Sequence, residues 1–130
     1  MILLDTNAVI WLDQNHVRVR ALARSSSRLI VSPATLLELQ MLDEIGRLHL
    51  RARLRGIIDS DRWEIDDPSA LDWFEHAADE SWTRDPFDRL IVAHARLRGA
   101  RLASGVARVG MPQPSLPAGA RDGSKRPISP

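Results

Sequence analysis

The chain contains no cysteine among its 130 residues, which excludes disulfide bridges and thiolate metal sites. No apolar run approaches the roughly 18 residues that suggest a membrane span. No basic leader precedes the first predicted strand, and no glycine-rich phosphate loop supports nucleotide-dependent chemistry. We therefore expect a cytoplasmic protein without membrane contact.

The net charge is only +1, and its distribution is more informative than its total. From Ser104 onward four basic residues outweigh one acidic residue, so the preceding part of the chain has a net charge of −2. An acidic body with scattered arginines differs from a DNA-binding module with a basic face. It suits a protein that gathers carboxylates around a cation.

Short apolar runs alternate with helical patterns from the N-terminus onward. Strands are predicted at 1–4, 28–31, 63–65 and from 101, and helices at 6–13, 17–24, 33–45, 48–58, 67–78 and 86–99. This alternation favours βαβ units, hence an α/β domain with a parallel sheet over residues 1–104.

The composition changes at about Ser104. The last 27 residues contain five of the eight prolines and four of the seven glycines, and they show no apolar periodicity. Such a segment buries too little apolar surface to offset the entropy lost on ordering. We expect residues 105–130 to form a poorly ordered tail.

Asp5 follows the apolar run 1–4 directly, in the sequence Leu3-Leu4-Asp5-Thr6-Asn7. A carboxylate at this position has two interpretations of equal weight. It either caps the following helix, worth about 1 kcal/mol, or it lies at the carboxyl edge of an α/β sheet, where ligands bind.

Two further acids border apolar helix surfaces. Glu38 shares a helical stripe with Met41 and Leu42, so it is either at the solvent edge or a buried charge that needs a partner. Asp88 shares a face with Ile91 and lies in the motif Asp85-Pro86-Phe87-Asp88. Helix capping fully explains Asp85 and explains Asp88 less well.

Asp5, Glu38 and Asp88 together fit a hard divalent cation, Mg²⁺ or Mn²⁺, which prefers oxygen ligands. Such a site suits phosphodiester hydrolysis. The four histidines show no paired ligand spacing, and His94 is predicted to pack in the core. An aspartate-nucleophile phosphatase is a weaker alternative, since that chemistry usually needs a second acid where Asn7 lies.

Three segments, 3–7, 32–39 and 84–93, resemble in order and separation the PIN-domain family, and more narrowly the VapC-type toxins of bacterial toxin–antitoxin systems. The resemblance implies a Rossmann-like three-layer fold, with a mostly parallel sheet of four to five short strands flanked by helices. It also implies an Mg²⁺- or Mn²⁺-dependent endoribonuclease that cleaves RNA, is inhibited by a cognate antitoxin and forms homodimers.

The resemblance also assigns residues. Asp5, Glu38 and Asp88 match the acidic metal cluster of the family, and Thr6 and Asn7 match its supporting polar positions. Asp85 matches an acid of the D-P-F-D subgroup, in a supporting or capping role. Arg84 or Arg89 would steer RNA phosphates, although Arg89 is equally explained as a solvated helix residue.

The chain departs from the family pattern after its fourth strand. Ser104 stands where the family has a threonine, and the fourth acid expected near Val106 is absent. We expect that the last strand is missing and that a truncation or reading-frame change replaced the C-terminal end. Translating the coding DNA in its other reading frames tests this: finding no acid-bearing strand–helix continuation there would count against it. Loss of the fourth acid predicts weaker metal binding and reduced cleavage, and loss of the last strand and its helix predicts weaker folding. The alternative is a degenerate, inactive relative that still binds an antitoxin or dimerises.

Overall fold

The computed structural model describes residues 1–15, 20–49 and 53–104. The strands are β1 (Ile2–Leu4), β2 (Leu29–Val31), β3 (Glu64–Ile65) and β4 (Arg101–Ala103). The helices are α1 (Thr6–Asp13), α2 (Arg20–Ala23), α3 (Pro33–Glu44), α4 (Leu54–Ile58), α5 (Ala70–Ala78) and α6 (Pro86–Arg98). Within these ranges no helix is long and apolar enough to cross a membrane.

The four strands form one parallel sheet in the order β3-β2-β1-β4. Leu3 in the centre of β1 pairs in register with Ile30 of β2 and Leu102 of β4. All the carboxyl ends of the strands therefore meet at one edge. This arrangement confirms the predicted α/β fold with a parallel sheet.

The residues of β1 and β2 alternate between two separate cores. Ile2, Leu4, Leu29 and Val31 pack in one core with residues of α1, α3 and α4. Leu3 and Ile30 pack in the other with residues of α5 and α6. Because a strand points successive side chains to opposite faces, this division places helices on both sides of the sheet and gives three layers.

Two predicted helices are shorter in the structure, and the predictions for their first residues were wrong. The helix predicted at 48–58 starts at Leu54, because Arg53 has an extended backbone (ψ 167°) and Leu48 is buried outside any helix. The helix predicted from 67 starts at Ala70, after Ser69. Residues 17–19 of the second predicted helix and the tail 105–130 lie outside the described residues.

A partly buried polar cluster joins Asp66, the residue after β3, to α6. His94 is fully buried, as predicted, and its Nε2 lies 2.6 Å from Oδ2 of Asp66, which also accepts from Nε of Arg98 at 2.6 Å. Burial lowers the pKa of His94 and outweighs the opposing effect of Asp66. Burial raises the pKa of Asp66, but the hydrogen bonds from His94 and Arg98 dominate and lower it. A neutral imidazole therefore donates to an ionised carboxylate.

This cluster predicts a loss of stability in mild acid. A folded-state pKa below the unfolded value means that the unfolded chain binds the proton first, so stability falls as the pH drops below about 6.5, the ordinary pKa of histidine. His94→Gln keeps a neutral donor to Asp66 but cannot titrate. We expect urea unfolding to show a smaller stability loss between pH 7 and pH 5.5 for this variant than for the wild type.

The matched control is His76→Gln, since His76 is exposed on α5. It should retain the pH dependence of the wild type. If His94→Gln shows the same pH dependence as the wild type, His94 is not the group that causes the loss of stability in mild acid.

Candidate functional site

A cavity of about 300 Å³ opens at the carboxyl ends of β1 and β4. It is lined by polar side chains from both strand ends and from three helices, α1, α3 and α6, with apolar residues between them. The lining residues are Asp5, Thr6, Asn7, Glu38, Leu42, Trp82, Asp88, Ile91, Val92, Leu102 and Ser104. The three acids predicted from separate segments therefore lie around one cavity.

Asp5 is placed by β1 and by the start of α1. Its backbone N–H donates to the carbonyl of Ala103 at 2.9 Å, which holds the end of β1 beside the end of β4. Its Oδ1 accepts from the N–H of Ala8 at 2.8 Å and caps α1. Asp5 therefore caps α1 and also lines the cavity at the carboxyl edge of the sheet.

Glu38 reaches the cavity from α3, which Ser32 caps by accepting from the N–H of Ala34 at 3.1 Å, and which Pro33 begins. Its side chain is partly buried, and its Oε1 accepts a hydrogen bond from the hydroxyl of Thr6. The hydroxyl oxygens of Thr6 and the buried Thr35 lie 3.4 Å apart. Thr6 thus connects the start of α1 to Glu38.

Asp88 lies in the first turn of α6, where Asp85 is the cap. Oδ1 of Asp85 accepts from the N–H groups of Phe87 at 2.8 Å and Asp88 at 3.3 Å. Asp85 itself is exposed and is not among the residues that line the cavity. The structure therefore gives the two acids of this motif different positions.

Negative charges accumulate at this cavity. Burial raises the pKa of Glu38; the hydrogen bond from Thr6 partly opposes this, and the charges of Asp85 and Asp88 add to it. Although much of Asp88 is exposed, partial burial of its carboxyl raises its pKa, and Asp85 raises it further. Both carboxylates are thus less stable in their charged form than they are in water.

The donors suit a hard divalent cation in kind, since they are carboxylate, hydroxyl and amide oxygens with no sulfur or imidazole among them. Beside burial, the charges of Asp85 and Asp88 raise the pKa of Glu38, so a cation would relieve that part of the effect. In the part of the chain that the structure describes, however, no three His, Asp or Glu side chains are already arranged to hold a metal ion. The position at Val106, where the fourth acid was expected, lies outside the described residues.

The two arginines considered for RNA steering have different surroundings. Arg89 donates from Nε to the carbonyl of Thr83 at 2.8 Å and from a terminal nitrogen to that of Ala78 at 3.3 Å. It therefore ties the segment before α6 to that helix. Arg84 is exposed, and neither arginine is among the residues that line the cavity.

Three residues near the site were not anticipated from the sequence. Trp82 lines the cavity, and its Nε1 donates to Oε1 of Glu80 at 2.7 Å. Glu80 is only 2% exposed and its Oε2 lies 2.7 Å from Nε of Arg96. No sequence motif marks these residues. Glu80 and Trp82 lie in the connection between α5 and α6, and Arg96, which pairs with Glu80, lies near the end of α6.

The electrostatics of the cavity predict that neutralising one acid stabilises the metal-free protein. A raised carboxyl pKa means that stability falls as the pH rises through that pKa, because the folded state holds the proton more tightly. In chelator at pH 7.5, Asp88→Asn should raise the melting temperature by about 1 to 3 °C, a small effect because solvent screens an exposed carboxylate.

Added Mg²⁺ or Mn²⁺ should then raise the melting temperature of the wild type more than that of Asp88→Asn. Glu75→Gln, which removes an exposed acid on α5, serves as the control and should respond to the cation as the wild type does. A lower melting temperature for Asp88→Asn in chelator would contradict the prediction.

Comparison with known families gives one result. The family model described as PIN domain matches residues 2–105, which include all of the strands and all of the cavity residues. No curated protein matches the chain.

Proposed function

Because the chain belongs to the PIN-domain family, whose members are generally nucleases, we propose that it is a metal-dependent endoribonuclease that hydrolyses phosphodiester bonds of RNA. The observation that carries this proposal is the shared cavity of Asp5, Glu38 and Asp88 at the carboxyl edge of a parallel sheet. Three carboxylates from three separate segments have no common structural task there. Binding a cation that in turn binds a phosphate would be a task common to all three carboxylates.

In this proposal Asp5, Glu38 and Asp88 hold Mg²⁺ or Mn²⁺. The bound cation would polarise a phosphoryl oxygen and lower the pKa of a water molecule. Since Mg²⁺ usually retains several waters, three carboxylates that converge on one cavity are a sufficient number of protein ligands.

The neighbouring polar residues orient the acids. Thr6 donates to Glu38 and so limits the rotation of that carboxylate. Asp85 fixes the first turn of α6, on which Asp88 lies. Asn7 and Ser104 add an amide and a hydroxyl to the cavity wall, where they can bind the cation's waters or the RNA backbone. We assign phosphate steering to the exposed Arg84, since Arg89 already binds two carbonyl groups.

We further propose a VapC-type biological role, with a cognate antitoxin as inhibitor, a homodimeric state and a cytoplasmic location. The support from the structure is a set of large apolar side chains that remain exposed on α3 and α5. They are Leu37, Met41, Leu71 and Phe74. Apolar groups exposed in this way are typical of surfaces that bind protein partners.

Cleavage of single-stranded RNA in Mg²⁺ or Mn²⁺ tests the catalytic proposal. Asp5→Asn preserves the helix cap, because asparagine caps as well as aspartate, and Asp88→Asn preserves size. Each should lower the cleavage rate by roughly 100-fold or more, since removing even groups that support metal ligands costs about 10- to 100-fold. Chelation with EDTA should abolish cleavage.

Asp85→Asn is the matched control, because it lies in the same motif, keeps the cap and lies outside the cavity lining. It should cleave at nearly the wild-type rate. If the wild type cleaves no RNA at any Mg²⁺ or Mn²⁺ concentration, yet dimerises or binds an antitoxin, the chain is the inactive relative and the catalytic proposal is wrong.

A further inference from the structure

We propose that Trp82 is a stacking platform for an unpaired base of the RNA. The inference rests on the proposed ribonuclease function, which it makes more specific. Trp82 is the aromatic residue of the cavity lining, and the same lining contains Asp5, Glu38 and Asp88. A base on the indole would thus lie next to the phosphate that the acids would cleave.

The indole ring is held in place by a buried ion pair. Its Nε1 donates to Oε1 of Glu80 at 2.7 Å, and Oε2 of Glu80 lies 2.7 Å from Nε of Arg96 on α6. Glu80 is 2% exposed, so its charge is almost completely removed from water. Removing a carboxylate from water is expensive, and Arg96 offsets that penalty at this position. The result is an aromatic ring with a fixed orientation.

The segment that contains Trp82 is also fixed on both sides. Before it, the N–H of Glu80 donates to the carbonyl of Ala77 at 3.1 Å. After it, Nε of Arg89 donates to the carbonyl of Thr83 at 2.8 Å. A ring that is oriented before the ligand arrives loses little conformational entropy when a base stacks on it.

The chemistry of the cavity wall supports a base as the ligand of Trp82. Carboxylates bind a cation and repel phosphates, so they cannot by themselves select a nucleic acid. Leu42 and Leu102 add apolar surface to the wall that contains Trp82. Aromatic faces accept any unpaired base, whereas bases in a duplex are already stacked on their neighbours and unavailable. An unpaired base is therefore the group that fits Trp82.

Binding of a short single-stranded RNA in EDTA, with cleavage blocked by Asp5→Asn, tests the inference independently of catalysis. In this background Trp82→Ala and Trp82→Leu should weaken binding by roughly 5- to 100-fold, the range for one stacked base. Trp82→Phe keeps an aromatic face and should bind within a few-fold of the parent. The leucine variant separates stacking from apolar packing.

Phe74→Ala is the control, because Phe74 is 55% exposed on α5 and outside the cavity lining. It should bind as the parent does. Thermal melts identify any Trp82 variant that fails to fold. Tryptophan fluorescence then compares the Asp5→Asn parent with Trp82→Phe, and RNA should quench the emission of the parent more than that of this variant.

A second measurement compares substrates for the wild-type enzyme in Mg²⁺. Single-stranded RNA should be cleaved faster than the same sequence in a duplex, and Trp82→Leu should reduce this preference mainly by raising KM for the single strand. If Trp82→Leu and Trp82→Ala bind RNA as the Asp5→Asn parent does, and cleave it as the wild type does when made without Asp5→Asn, the stacking inference is wrong while the ribonuclease proposal stands. If the Asp5→Asn parent binds RNA in a Trp82-dependent way but the wild type never cleaves it, the catalytic proposal fails and the stacking inference survives.

Discussion

The site depends on how a parallel sheet ends. The strands β1 and β4 are adjacent and parallel, and the N–H of Asp5 donates to the carbonyl of Ala103. Both strands therefore end at the same edge of the sheet. The first turns of α1, which follows β1, and of α6, which precedes β4, lie at this edge, and α3, which follows β2, contributes Glu38 from its second turn. This geometry lets carboxylates from residues 5, 38 and 88 share one cavity although more than thirty residues separate each from the next. Each acid is held by its own element, which resists the repulsion between them.

The sequence predicted the sheet well because its signal is local. Apolar runs that alternate with amphipathic helices indicate β1, α1, α3 and α6, and the structure agrees with these elements to within a residue or two. The starts of α4 and α5 were wrong, because periodicity does not reveal where the backbone turns before a helix. Asp5 and Asp88 were identified because each interrupts or borders an apolar pattern. Spacing could not decide whether Asp5 caps a helix or binds a ligand; the structure shows the cap and places Asp5 in the cavity lining.

Trp82, Glu80 and Arg96 could not be found in this way. Glu80 looks like an ordinary polar residue between two helices, and its burial follows from how α5 packs against α6. The same is true of Asp66, whose hydrogen bonds with His94 and Arg98 join residues 28 and 32 positions apart. Buried ion pairs of this kind leave no periodic signal. They arise where a charged residue near a helix end meets a complementary side chain from another element.

The two kinds of acid in this protein differ in what compensates their charge. Arginines lie within ion-pair distance of the buried or partly buried carboxylates of Asp66 and Glu80. Glu38 and Asp88 instead have other acids as their electrostatic neighbours, and burial raises their pKa values. An acid that supports the fold gains from a permanent counter-charge, whereas a metal ligand must remain able to accept a cation from solution. Glu38 and Asp88 have the second environment, and Arg96 keeps Glu80 from adding to the negative charge of the cavity. The charge pattern therefore separates the acids that support the fold, Asp66 and Glu80, from Glu38 and Asp88, which we propose bind the metal.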